Sequence, residues 1–387
     1  MSERKPRIVF TFVEAGLGHI MPITAVYDAF VKKYGDQCEV VKTYFYQDKK
    51  DPNMKYVEDE FIKEVKLHNA KKGRGALQFA LMGLFGSRFS MRYLMEKRYH
   101  RGLAPSIEYL QSLDADLIFS THFSTLYYAA AAREKGLIDS DIVAYCPDPV
   151  IGRQWDNRVD LIGLSSSVGK QKAERTRFKK GQVVEIPFLI REAVKDYDKD
   201  KAFYRKELGI PQDNFTVLLA DGAYGAGKLR DTVIKLLKSK EKMTIIAVCG
   251  RNENLYKEFC GLKAPENITF MPFGFTDKML LLSACCDLFV GKAGASNLAE
   301  PCYFGAPQII TFCATPIEKW ISRHYTHFVK SAIQISDVNK AVEKIEEWIK
   351  HPDKMQPYKD ACVSQHRTDG PIQLADILWN RLSQKQK

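Results

Sequence analysis

At 387 residues, with 45% hydrophobic and 27% charged residues, the chain is too long for one compact core and has an ordinary globular composition with room for two domains. A formal net charge of +11 favours anionic partners, whether nucleic acid, anionic lipid or a phosphorylated substrate, without choosing among them. The nine cysteines are odd in number and form no CxxC pair, which argues against a disulfide framework or zinc site and for buried thiols in a reducing compartment.

Residues 1–7 are charged and carry no apolar signal region, and no run of 18 uninterrupted apolar residues occurs, so neither a leader nor a spanning helix is expected. Residues 7–13 (RIVFTFV) read as a buried strand, followed by the turn Glu14-Ala15-Gly16-Leu17-Gly18-His19 and a helix over 22–34. Strands are predicted at 38–45, 116–120, 142–145, 161–164 and 183–186, with a helix over 125–135. A second set follows the same rhythm. Strands at 215–220, 243–249, 268–271, 288–290 and 308–311 alternate with helices at 229–239, 255–259, 278–284 and 296–303. Strands and helices in this alternation predict parallel sheets with right-handed crossovers.

The expected class is therefore α/β, with two doubly wound, Rossmann-like domains facing a central cleft: residues 1–190, a polar linker at 191–201, and residues 202–365. Residues 366–387 hold a helix, about 372–382, that packs back on the first domain. In such sheets ligands sit beyond the carboxyl ends of the strands. Asp114-Ala115-Asp116 and Asp139-Ser140-Asp141 precede strands, at the opposite edge, so neither pair is assigned a metal.

Five motifs lie at the ligand edge. Gly16-Leu17-Gly18-His19 follows the first strand, where glycines permit close backbone approach and a neutral imidazole can serve as general base toward an acceptor hydroxyl. The competing reading is a tight turn whose histidine caps a helix. The run from Asp221 and Gly222 through Tyr224 and Gly225 to Lys228 resembles a phosphate-cradling loop but lacks the Gly-Lys-Ser/Thr ending of nucleotide hydrolases. It suits diphosphate binding, or else a flexible turn. In Lys292-Ala293-Gly294-Ala295-Ser296-Asn297-Leu298-Ala299-Glu300, Ser296 suits a helix N-cap whose terminus favours an anion. Glu300 can accept hydrogen bonds from sugar or ribose hydroxyls, or lie solvated on the surface. Thr121-His122 and Cys146-Pro147-Asp148-Pro149 also end strands, with His122 either an acid/base or acceptor-binding group or a structural residue.

Residues 61–101 break the alternation. They gather Leu77, Leu81, Leu84 and Phe85, and between Lys71 and Arg101 eight basic residues, Arg88 and Arg92 among them, are opposed by Glu96 alone. An apolar run flanked by cations fits an interfacial membrane element, with each Lys or Arg near an anionic leaflet adding about 1 kcal/mol. The alternative is a core helix with a solvated basic face. Aliphatic and phenylalanine side chains dominate the segment, which argues against nucleic-acid binding.

Taken in order, Gly16 to His19, Asp116 to His122, Val248-Cys249-Gly250-Arg251-Asn252-Glu253, Gly274-Phe275-Thr276 and Gly294 to Glu300 resemble the monogalactosyldiacylglycerol synthases and processive diacylglycerol glycosyltransferases. These are GT-B enzymes of the glycosyltransferase family 28 type. More distantly they resemble the peptidoglycan lipid I N-acetylglucosaminyltransferase. The resemblance implies an inverting transfer of a hexose from a UDP-sugar to diacylglycerol or a related lipid, with no metal or other cofactor. The site would be peripheral, at the cytoplasmic face of an anionic membrane, with no nucleic-acid partner.

The resemblance further implies His19 as catalytic base; Gly18 beside it, and His122 and Asp148 by their places at strand ends, are the acceptor-side candidates. Gly222, Tyr224, Arg251, Gly294, Ser296 and Asn297 would meet the diphosphate. Phe275 would meet the uracil, Glu300 the ribose, and Glu318 the sugar. Leu77, Leu81, Leu84, Phe85, Arg88 and Arg92 would touch the membrane. Three positions depart from the family pattern: Leu17 replaces a glycine, Pro301 follows Glu300, and Ile317 replaces the glutamine of a Gln-Glu pair. Two other readings share both nucleotide loops: a UDP-sugar 2-epimerase-like isomerase, and a non-catalytic UDP-sugar-binding membrane protein.

Overall fold

A computed structural model describes residues 4–13, 17–70, 88–222, 225 and 227–385. The chain forms two compact units, Met1–Arg191 with Thr368–Lys387, and Glu192–Arg367.

The first unit contains β1 (Arg7–Phe12), α1 (Leu17–Tyr34), β2 (Glu39–Tyr44), α2 (Pro52–Ala70), α3 (Arg88–Ser112), β3 (Leu117–Ser120), α4 (Phe123–Glu134), β4 (Asp141–Tyr145), β5 (Leu161–Leu164), α5 (Ser167–Thr176) and β6 (Val183–Glu185). Its sheet is parallel, in the order β2-β1-β3-β4-β5-β6. The strands read as near-continuous apolar runs because both faces are covered. Ile8, Phe10, Leu117, Phe119 and Val143 bury on one face, and Ile118, Ile142 and Ala144 on the other.

The second unit contains α6 (Lys201–Glu207), β7 (Phe215–Ala220), α7 (Leu229–Leu236), β8 (Met243–Val248), α8 (Glu253–Cys260), β9 (Ile268–Phe273), α9 (Met279–Cys285), β10 (Leu288–Lys292), α10 (Ala295–Tyr303), β11 (Gln308–Phe312) and α11 (Pro316–Arg323). A π-helical turn (His324–Val329), β12 (Ala332–Gln334), α12 (Val338–Lys350) and α13 (Gln356–Val363) complete it. Its parallel sheet runs β12-β11-β10-β7-β8-β9, so the order reverses between β7 and β10. The polar stretch read as a linker begins this unit. It folds into a short 3-10 turn (Glu192–Asp196) that buries Val194.

The last helix, α14 (Gly370–Gln384), belongs to the first unit and lies on α1. Leu374, Ala375, Leu378 and Leu382 bury beside Ile23, Val26 and Phe30, and Trp379 stacks on Tyr34 with ring centroids 5.0 Å apart. Lys33 Nζ and Tyr34 Oη both reach Asp376 at 2.7 Å, and Arg381 forks onto Asp141. The acidic pairs thus serve the amino edge of the sheet: Asp141 holds the last helix, and Asp116 accepts the Arg7 N–H at 2.7 Å and binds Arg4 at 2.9 Å.

Candidate functional site

The parallel register of the second sheet lines up the ends of its strands. Ala220 pairs with Val248 on one side and Gly291 on the other. Asp221, Cys249 and Lys292 therefore leave the sheet side by side, at the point where strand order reverses and a doubly wound sheet opens a crevice. Gly222 turns the chain there with φ +78°, a region that favours glycine, and a Cβ on it would stand 3.9 Å from both Asn297 Nδ2 and Lys292 Cε. The turn after β7 thus comes against the start of α10.

Asp221 closes this turn. Its Oδ2 accepts the Leu229 N–H at 2.7 Å, bridging the loop to the first residue of α7, where Lys228, the residue at the cap position, offers no side-chain cap. Burial pushes the Asp221 carboxyl up to about 6, opposed by the amides of Leu229 and Lys228 and by the Lys292 charge. Lys292 Nζ lies 2.6 Å from Glu318 Oε1, with both side chains largely buried. Glu318 is fixed by its own helix: Thr315 caps α11 and accepts the Glu318 N–H at 3.2 Å, while the Glu318 carboxylate takes the Ala314 N–H. Thr315-Pro316-Ile317-Glu318 is a capping-box pattern with proline at the first helical position, a signal readable in the sequence.

The cap of α10 is Gly294, not Ser296, and no side chain caps this helix. Ser296 sits one residue inside it, so among the described residues the first-turn amides meet no side-chain acceptor, the arrangement that receives an anion. Asn297 folds back to within 3.4 Å of where a Gly294 Cβ would be. Glu300 is buried rather than solvated, and the helix continues through Pro301 to Tyr303. Beyond β8 and β9, the Arg251 guanidinium lies 5.2 Å from the centroid of Phe275, whose ring is 58% exposed. This exposed cation–π pair offers one flat face and one positive charge. Tyr224 lies outside the described residues.

In the first unit the order reverses between β1 and β3, where Thr11 pairs with Ser120. Helix α1 begins at Leu17, earlier than the sequence suggested, and takes Gly18 and His19 into its first turn with Pro22 inside the helix. Beside it, His122 caps α4: its Nδ1 accepts the Ser124 N–H at 3.3 Å and meets Ser124 Oγ at 2.7 Å. The ring is 1% exposed, stacked on Phe123 at 4.4 Å and edge-on to Phe61 at 5.1 Å. His122 is thus a buried capping residue. Asp148 is half-buried in the loop after β4, and the buried Cys146 thiol is pushed well up by desolvation. Phe61, at the start of the segment that breaks the alternation, is half-buried and sets its ring edge-on to His122. Leu77, Leu81, Leu84 and Phe85 lie outside the described residues, and Arg88 and Arg92 fall in the first turns of α3.

Residues 216–359 match the family model described as the glycosyltransferase family 28 C-terminal domain. The second unit is a family 28 C-terminal domain. Over 215 residues the chain is 24% identical to a UDP-N-acetylglucosamine–N-acetylmuramyl-(pentapeptide) pyrophosphoryl-undecaprenol N-acetylglucosamine transferase of Caldanaerobacter subterraneus, covering 52% of this chain and 57% of that one. Over 198 residues it is 22% identical to a processive diacylglycerol beta-glucosyltransferase of Bacillus licheniformis, covering 51% of each. The chain spans about half the length of the curated relatives it matches. A crystal structure of Acinetobacter baumannii MurG superposes with a TM-score of 0.63 at 13% identity, over 97% of this chain and 99% of that one. The family 28 match and this whole-chain likeness make the fold GT-B: two Rossmann-like units, the second of family 28.

Proposed function

We propose that this protein is an inverting glycosyltransferase that moves a hexose from a UDP-sugar to a membrane lipid, with diacylglycerol as acceptor. The observation that carries the reading is the convergence of Gly222, Lys292 and the amides of α10 at the switch point of a family 28 domain, with Arg251 and Phe275 on the same edge. The names of the relatives agree on a sugar donor and a lipid-linked or lipid acceptor.

In this reading the diphosphate sits at the start of α10 beside Lys292, and its charge is met by N–H dipoles and a fixed cation. The Phe275 segment receives the uracil, Glu300 the ribose and Glu318 the sugar hydroxyls. His19 takes the proton of the acceptor hydroxyl. The acceptor oxygen bonds to the anomeric carbon in line as the carbon–phosphate oxygen bond breaks, and UDP departs with that electron pair. The transfer uses no metal, since helix termini, Lys292 and Arg251 answer the leaving-group charge. Among the described residues no helix is long and apolar enough to cross a membrane. The reading places the enzyme peripherally on the cytoplasmic face, held by the basic and apolar segment within residues 61–101.

The test is a panel of UDP-glucose, UDP-galactose and UDP-N-acetylglucosamine against diacylglycerol and polyprenyl acceptors in anionic vesicles. Sugar should enter the lipid phase. His19→Ala should cut transfer by at least about a hundredfold, with UDP affinity changed less than about twofold. Transfer by the variant at the wild-type rate removes His19 as the base, and no transfer to any lipid removes the reading.

A further inference from the structure

Asp221 is a buried acid at the spot where an anion is meant to arrive. It is 2% exposed; Oδ2 accepts the Leu229 N–H, the Lys228 and Lys292 amides also favour its charged form, and Oδ1 meets no hydrogen-bond partner in good geometry among the described residues. Its place is built for it: a Cβ on Gly227 would stand 2.3 Å from Oδ2 and 2.5 Å from Cγ, so the loop leaves that volume to the carboxyl group. Lys292 on β10 lowers its proton affinity, yet Lys292 is already 2.6 Å from Glu318 of α11. Other charged groups on the surrounding elements include Lys228, whose ammonium donates to the Ser336 carbonyl, Arg230 and Asp231 in the first turn of α7, both exposed, Glu300 within α10, and Arg251 after β8, which lies over Phe275. Lys292, Glu318 and an ionised Asp221 together carry one net negative charge in a largely buried crevice.

A nucleotide sugar adds two more negative charges at the same place, and buried like charges are separated by protonating one of them. We infer that binding a nucleotide-sugar diphosphate in this crevice takes up one proton from solvent onto Asp221, so that the complex contains the neutral acid. This rests on the reading of the crevice as the donor site. The proton goes to the side chain with an oxygen to spare, Oδ2 keeps its bond to the Leu229 amide, and no bond of the donor is made or broken. Burial already holds the free carboxyl at about 6, so it is ionised at neutral pH but close to accepting the proton.

Isothermal titration with UDP-glucose, whose diphosphate does not titrate between pH 6 and 8 (roughly the window set by the Asp221 value), tests this directly. Heats measured in two buffers of different ionisation enthalpy give the number of protons taken up. The full chain should take up about one proton near pH 8, and its Kd should rise about tenfold from pH 7 to pH 8. Asp221→Asn retains an acceptor for the Leu229 amide but holds no titrating proton. It should bind with buffer-independent heat, with a Kd constant over the same range, and more tightly than wild type at pH 8. Wild-type binding without proton uptake overturns the inference while leaving the donor site standing, and this measurement needs no variant. Equal uptake by Asp221→Asn also overturns it. Failure of wild type to bind any UDP-sugar of the panel overturns both.

Discussion

Replacing Gly227 by alanine would test how the loop after β7 is held. The new Cβ would stand 2.3 Å from Asp221 Oδ2, 2.5 Å from Cγ and 2.9 Å from Oδ1. All three lie below any contact a Cβ tolerates. Asp221 follows directly on β7, whose backbone is paired on both sides, so the carboxylate must rotate or the loop must lift. Either movement takes the acceptor from the Leu229 amide at the head of α7, and Lys228 has no side chain placed to replace it. A hydrogen bond to a charged acceptor contributes about 1.5–3 kcal/mol, and a lost N-cap about 1 kcal/mol of the same quantity, so the variant should be destabilised by about 2–3 kcal/mol. For a unit of this size that lowers Tm by about 5–10 °C. Gly305→Ala is the control: its φ is also positive, at +77°, but nothing lies within 4 Å of the added carbon, so only backbone strain of about 1–2 kcal/mol is expected. Scanning calorimetry and UDP-glucose titration on both variants should separate them, with donor affinity reduced at least about tenfold in Gly227→Ala and unchanged in Gly305→Ala. Equal losses in the two variants would refute the argument that the acid, rather than the backbone angle, requires glycine at 227.

Leu378→Ala removes a fully buried side chain from α14 and should destabilise the first unit by about 2–5 kcal/mol in urea titrations, leaving UDP affinity intact; a cost below 1 kcal/mol would mean the last helix is not part of that core. Burial pushes the His324 imidazole down to about 4. The folded state then binds fewer protons than the unfolded state between that value and about 6.5, so this contribution to stability is full above about pH 6.5 and falls by roughly 1.4 kcal/mol per pH unit on acidification. Urea midpoints at descending pH should show this acid limb in wild type and a shallower one in His324→Leu, and identical limbs would dismiss the assignment.

The strands were legible because both faces of each sheet are covered: FTVLLA and MTIIAV carry no polar alternation and stand out against the helices around them. The three-residue edge strand β12 is too short for any period to show. At the carboxyl edge of the second sheet, residue types placed the glycine turns at strand ends, as the structure has them, but they did not say which groups are buried. Asp221 reads as an ordinary loop acid until α7 folds back to meet it, and His122 reads as a reactive imidazole until Ser124 and Phe61 enclose it. Ser296 looked like the cap because side-chain oxygens favour that position, yet Gly294 fills it and leaves the amides for a ligand.

The return of α14 to the first unit has a consequence for biogenesis. The apolar stripe of α1 formed by Ile23, Val26 and Phe30 is sealed by residues from 374 onward. During synthesis the amino-terminal sheet can assemble early, but that stripe stays uncovered until the whole intervening unit has left the ribosome. Chains released before residue 374 would present a greasy seam to chaperones and proteases.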